Sequence, residues 1–91
     1  MLLDKEDKLD LLKRNLQLNT TANDDYLNAL LDQAVALMKR RGIVEEDSMD
    51  YHMAQVDYAA FLFRKRANSE ASFPEHLKQE LRDILFSQKM K

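Results

Sequence analysis

The chain has no cysteine and no tryptophan, and only one glycine and one proline among its 91 residues. Without cysteine it can form neither a disulfide nor a zinc site built on thiolates. One glycine cannot make a phosphate-cradling loop, and so few turn formers leave little material for a hairpin-rich all-β fold. No apolar run approaches the roughly 20 residues needed to span a bilayer, so no membrane partner is expected. The opening MLLDKEDK turns charged after two leucines. A signal peptide would show a basic start and a longer apolar segment, so the expected compartment is the cytoplasm of the cell that makes the protein.

What is present is a globular composition, 45% hydrophobic and 33% charged, of a length that makes one small domain over residues 1–91. Net charge is −2 but unevenly spread: residues 1–50 carry seven Lys/Arg against eleven Asp/Glu (−4), and residues 51–91 carry seven against five (+2). A free-standing duplex binder presents a clear basic face. Here the largest basic cluster is Arg64-Lys65-Arg66, at the end of a helical segment, where it complements the helix dipole.

Apolar periodicity predicts an all-α fold, a compact bundle of about four helices at roughly 5–16, 24–41, 49–67 and 73–87. Asp4 is placed as the N-cap of the first, whose face is lined by Leu9, Leu12 and Leu16, with Asp10 in reach of Lys13 or Arg14. The polar turn LNTTAN follows. Asn23 is placed as the next cap, with Asp24 and Asp25 in the first turn and Leu27, Leu30, Leu31, Ala34 and Met38 in register. Lys39-Arg40-Arg41 closes that helix, and Gly42 falls where a left-handed C-terminal residue belongs. Ile43 and Val44 are expected to fold back on the core, and Glu45-Glu46-Asp47 to be a solvated connector. Ser72 with Glu75 three residues later fits a capping box for the last helix, with Pro74 tolerated in its first turn.

The third segment, YHMAQVDYAAFLFRKR, carries more apolar surface than one face needs. Met49, Met53, Val56, Ala60 and Phe63 form one stripe; Tyr51, Ala54, Tyr58 and Leu62 form a second, with Phe61 close by. Such a helix is either surrounded by its own chain or shared between its own core and a partner. Tyrosine suits interfaces through its apolar body and polar tip. Asp57, in the middle of this segment, would be costly if buried without a partner, so it either faces solvent or meets one.

Chemistry is sparse. His52 and His76 stand on different helices, and a metal site needs them to converge with a carboxylate such as Glu80, one turn from His76. Glu75, Glu80 and Asp83 are scattered along one helix, whereas acid–base catalysis needs two groups in one pocket. No nucleophile context is present. The expectation is a protein that is not an enzyme and binds no cofactor.

Three segments together resemble the small helical head–tail connector (adaptor) proteins of tailed bacteriophages and prophages of the Gram-positive type. They are Asp24-Asp25-Tyr26-Leu27-Asn28-Ala29-Leu30-Leu31-Asp32-Gln33-Ala34, then Tyr58-Ala59-Ala60-Phe61-Leu62-Phe63-Arg64-Lys65-Arg66, then Phe73-Pro74-Glu75-His76-Leu77 with Leu81 through Phe86. The resemblance implies a structural virion protein that forms an oligomeric ring beneath the portal and joins the DNA-filled head to the tail. Its partners would be copies of itself, the portal protein and a tail-side connector, with DNA only passing through the channel. Assembly would take place in the bacterial cytoplasm and end at the head–tail junction of the virion. Carried onto this chain, the subunit-interface candidates are Tyr51, Tyr58, Phe61 and Leu62, and the portal-contact candidates are Phe86, Lys89, Met90 and Lys91. The chain is shorter than relatives with segments beyond the third helix, which bears on the second set. The alternative is a small helical DNA-binding or regulatory module; it needs a short turn and a base-reading second helix, where this chain has LNTTAN and a mostly apolar helix.

Overall fold

A computed structural model describes residues 2–90, and among them the fold is all-α, with four helices and no strand. They are α1 (Lys5–Leu16), α2 (Asp24–Arg40), α3 (Met49–Ala67) and α4 (Glu75–Lys89). Each boundary has a local cause. The Asp4 side chain accepts from the Asp7 amide at 2.9 Å while Asp7 accepts from the Asp4 amide, a reciprocal cap at the start of α1. Gln17, at φ 58°, ends α1 in a left-handed turn closed by the Leu18 amide on the Lys13 carbonyl. Gly42, at φ 92°, does the same for α2: the Ile43 amide reaches back to the Met38 carbonyl at 3.0 Å. Ser48 caps α3 through its Oγ, which accepts from the Tyr51 amide at 3.1 Å.

Two caps differ from the sequence reading. Asn23 precedes α2, but its side chain makes no capping bond; Asp24 ties the helix start to α1 through Lys13 at 2.9 Å, so Lys13 has its partner there rather than at Asp10. The fourth helix starts at Glu75, not near residue 73, and Ser72 caps nothing. Pro74 is itself the N-cap, extended at φ −63°, ψ 138°, and the residue before a proline is held out of the helical region by its ring.

α3 is the central helix, packed against α1, α2 and α4, while α1 and α2 also pack on each other and α4 leans chiefly on α3. Leu12, Leu27, Leu31, Met38, Ile43, Val56 and Leu77 are fully enclosed. Ala54, Ala59 and Ala60 are buried too, and small side chains there let the neighbouring helices close on α3. Burial of all these residues removes apolar surface from water, at about 25 cal/mol per Å².

One polar side chain sits inside this core. Gln55 is buried, accepts from the Lys8 ammonium at 2.7 Å and donates to the Leu31 carbonyl at 3.1 Å, so it ties α1, α3 and α2 together. Burial pulls the Lys8 pKa down, opposed by the charges of Glu45 and Asp47. Gln55→Leu keeps the volume but strips both partners, and it is expected to destabilise the fold by about 1–2 kcal/mol. Urea unfolding checks this; a variant as stable as the parent would remove Gln55 from the account.

Candidate functional site

The structure relocates three of the four predicted interface residues. Tyr51, Tyr58 and Phe61 are 2%, 6% and 7% exposed within a single chain, so they belong to its core and not to a subunit contact. Tyr58, Phe61 and Phe73 form a triangle of edge-on rings, with centroids 5.0–6.5 Å apart. The Arg41 guanidinium closes it, 4.8 Å from the Phe73 ring centre and 5.8 Å from that of Tyr58. The segment between α3 and α4 supplies the third ring, which is how the second stripe of α3 is covered from within. Leu62 alone of the four stays partly accessible. On the other stripe Met49 is exposed and Met53 and Phe63 are half-buried, so the expected division of labour between the stripes does not hold.

The predicted terminal contacts fare differently. Phe86 is 66% exposed and Met90 71% exposed. They lie one turn apart on the outward side of α4, opposite the buried Leu77, Leu81 and Ile84. Lys89 is also exposed; Lys91 lies outside the described residues. Val44 and Met49 are exposed as well. Val44 does not fold onto the core as expected. Its backbone is instead held by Gln88, which accepts from the Val44 amide at 3.0 Å and donates to its carbonyl at 2.8 Å.

The acidic connector is a strap rather than a loose loop. Glu46 accepts from Gln88 at 2.8 Å and from Ser48 at 2.6 Å. Asp47 accepts from the Leu2 amide and lies 2.8 Å from Nε2 of His52. The His52 contact, then the Leu2 amide, holds the Asp47 carboxyl below the ordinary range. His52 is buried and does not join His76, which lies instead beside Asp57 and Glu80. Beside it the Tyr51 hydroxyl is pushed up to about 12, by burial first and by the Glu45 and Glu46 charges second, so it stays neutral.

The basic cluster is exposed and touches neutral groups of its own chain. Arg64 donates to the carbonyl and side chain of Asn15, Arg66 lies 4.7 Å from the ring centre of Tyr26, and Lys65 lies 5.8 Å from that of Phe61.

The structure does bring one set of titratable groups together. Asp57 of α3 meets Glu80 and His76 of α4, with one donor atom of each lying within 4.8 Å of the others. Asp57 is therefore half-buried, with the carboxylate of Glu80 and the imidazole of His76 as its near neighbours. Sequence reasoning marked all three residues but could not join them, since the register between α3 and α4 is not written in either helix. The mid-helix carboxylate of Asp57, together with His76 and Glu80 one turn apart, was the available signal. Asp50, Glu80 and Asp83 border a cleft of about 150 Å³ beside the cluster. Among the described residues no lysine or arginine is paired with Asp57 or Glu80.

Burial, then the hydrogen bond to Asp57, then the charges of Asp57 and Asp50 raise Glu80 to about 7. The sign follows from linkage. The folded state holds its proton more tightly than the unfolded one, so stability is fully present below the unfolded pKa of about 4.3 and falls as pH rises through about 7. In metal-free buffer the loss is expected to be about 1–2 kcal/mol after solvent screening, and Glu80→Gln is expected to flatten it. Melting curves between pH 4.5 and 8 check this; a parent and variant with parallel pH profiles would contradict it.

No protein-family model, curated protein or solved structure matches the chain.

Proposed function

We propose that this protein is a non-enzymatic structural subunit of a phage or prophage virion, an adaptor that assembles as a ring under the portal and joins the DNA-filled head to the tail. The observation that carries the reading is the pair Phe86 and Met90. Two large apolar side chains stand in solvent one turn apart on the closing helix, at the end where the resemblance puts the portal contact. Exposed apolar side chains grouped at one helix end are the candidate contact surface of this reading. Val44 and Met49, exposed near the start of α3, extend the choice of neighbour contacts; Leu62 is what remains of the four residues first assigned to that role. Contact between subunits then rests on the ends of the helices rather than on the body of α3.

The charge distribution is compatible with a channel that DNA slides through. Retention on a phosphate backbone scales with the number of cations that neutralise it. Here the net charge is −2, and Arg64, Lys65 and Arg66 already lie against Asn15, Phe61 and Tyr26. Low-salt gel shifts test the DNA-reading alternative, and they are expected to show no salt-sensitive complex. Assembly takes place in the host cytoplasm and the product stays in the virion. The test is light scattering of the purified chain with the portal protein encoded beside it; a portal or capsid gene immediately upstream is the expected genomic setting.

A further inference from the structure

The cluster at the α3–α4 seam has a use that the assembly reading does not supply. Asp57 and Glu80 are two carboxylates brought within 4.8 Å of each other across the seam, and among the described residues neither has a basic side chain paired with it. Asp50 and Asp83 line the adjoining cleft, so the local field draws a cation inward. His76 adds an imidazole nitrogen from the same helix turn as Glu80, and an i, i+4 pair puts both side chains on one face. Two oxygen donors and one nitrogen donor thus converge from two helices, each with an atom within 4.8 Å of the others.

The geometry points to a divalent-cation site of the zinc class, with Asp57, His76 and Glu80 as ligands and water in the remaining position, clamping α4 to α3. Mixed imidazole and carboxylate donors suit Zn²⁺ and its first-row neighbours better than Mg²⁺, which prefers all-oxygen octahedra. Bonds of about 2.0–2.2 Å put ligand atoms about 3–4 Å apart, so closing the present spread takes small side-chain rotations. His76 is exposed and Asp57 and Glu80 are half-buried, which leaves an entry path. A clamp here has a structural purpose: α4 packs chiefly on α3 and so has the fewest anchors of the four helices. The site does not depend on the ring reading and can be tested apart from it.

Full-length protein stripped with chelator is titrated with Zn²⁺ by calorimetry, and with Co²⁺ by visible absorption, at pH 7.5. One ion per chain is expected, with the d–d bands of a low-coordinate Co²⁺ carrying a nitrogen donor. Zn²⁺ in hundredfold excess over its Kd is expected to raise Tm by about 10–20 °C, with a far smaller effect from Mg²⁺. His76→Gln and Glu80→Gln should weaken binding by at least the roughly 10- to 100-fold that even outer-shell losses cause. Asp83→Asn, which removes a nearby charge without touching the donors, should weaken binding by less than either ligand variant does. Absence of binding to the parent overturns the site. So does equal binding in His76→Gln, Glu80→Gln and the parent, because that is diffuse attraction to acidic residues.

Discussion

Phe61→Ala is expected to destabilise the isolated chain by about 3–5 kcal/mol, a large share of the 5–15 kcal/mol that holds a domain together. The reason lies in the ring triangle. Phe61 lies between Tyr58, Phe73 and the Lys65 ammonium, and its removal leaves a cavity that two rings on different segments cannot both move to fill. Phe73 would also lose its centroid contact at 5.0 Å, one of the links, with Tyr58 and Arg41, that fasten the α3–α4 connection to the body. A fall in Tm of about 15–25 °C follows for a domain of this size. If Phe61 were an interface residue instead, the isolated chain would melt as the parent does and only assembly would suffer. Calorimetry on the monomer separates the two.

The reverse pattern is expected for Phe86→Gln combined with Met90→Gln. Both side chains are two-thirds or more exposed, so replacing them is expected to change stability by no more than about 0.5 kcal/mol. Glutamine is neutral and helix-forming, so the change does not add a charge that opposes the dipole at the end of α4. Association is another matter. Central apolar anchors of an interface cost about 2 kcal/mol or more each when truncated, so the double variant is expected to bind the portal at least about 100-fold more weakly. A double variant that folds and associates as the parent does would place the contact elsewhere, with Val44 and Met49 next in line.

The sequence speaks clearly about some of this and not about the rest, and the division is physical. α2 is legible end to end because its determinants are local: an acidic first turn, five buried residues in register and the lone glycine at a left-handed turn. α3 is legible as a helix with apolar residues on most sides, but periodicity does not say what covers each side. The cover turned out to be Phe73 and Arg41, from connections whose composition reads as polar. The start of α4 was misplaced because Ser72 and Glu75 have the spacing of a cap, while Pro74 between them decides the backbone. The connector Glu45-Glu46-Asp47 reads as solvated, and only the fold reveals Gln88 and His52 as its partners. The Asp57–His76–Glu80 cluster depends on the register of two helices, which no spacing within either one encodes.

Those corrections change where assembly can be sought. With Tyr51, Tyr58 and Phe61 enclosed within one chain, the proposed ring would draw on side chains at the helix ends. The most direct measurement is multi-angle light scattering of the purified chain over a wide concentration range, alone and with purified portal. The expected result is a monomer when dilute and a closed oligomer of fixed mass on crowding or on the portal, lost in the Phe86→Gln, Met90→Gln double variant. A chain that stays monomeric at every concentration and beside the portal would contradict the account.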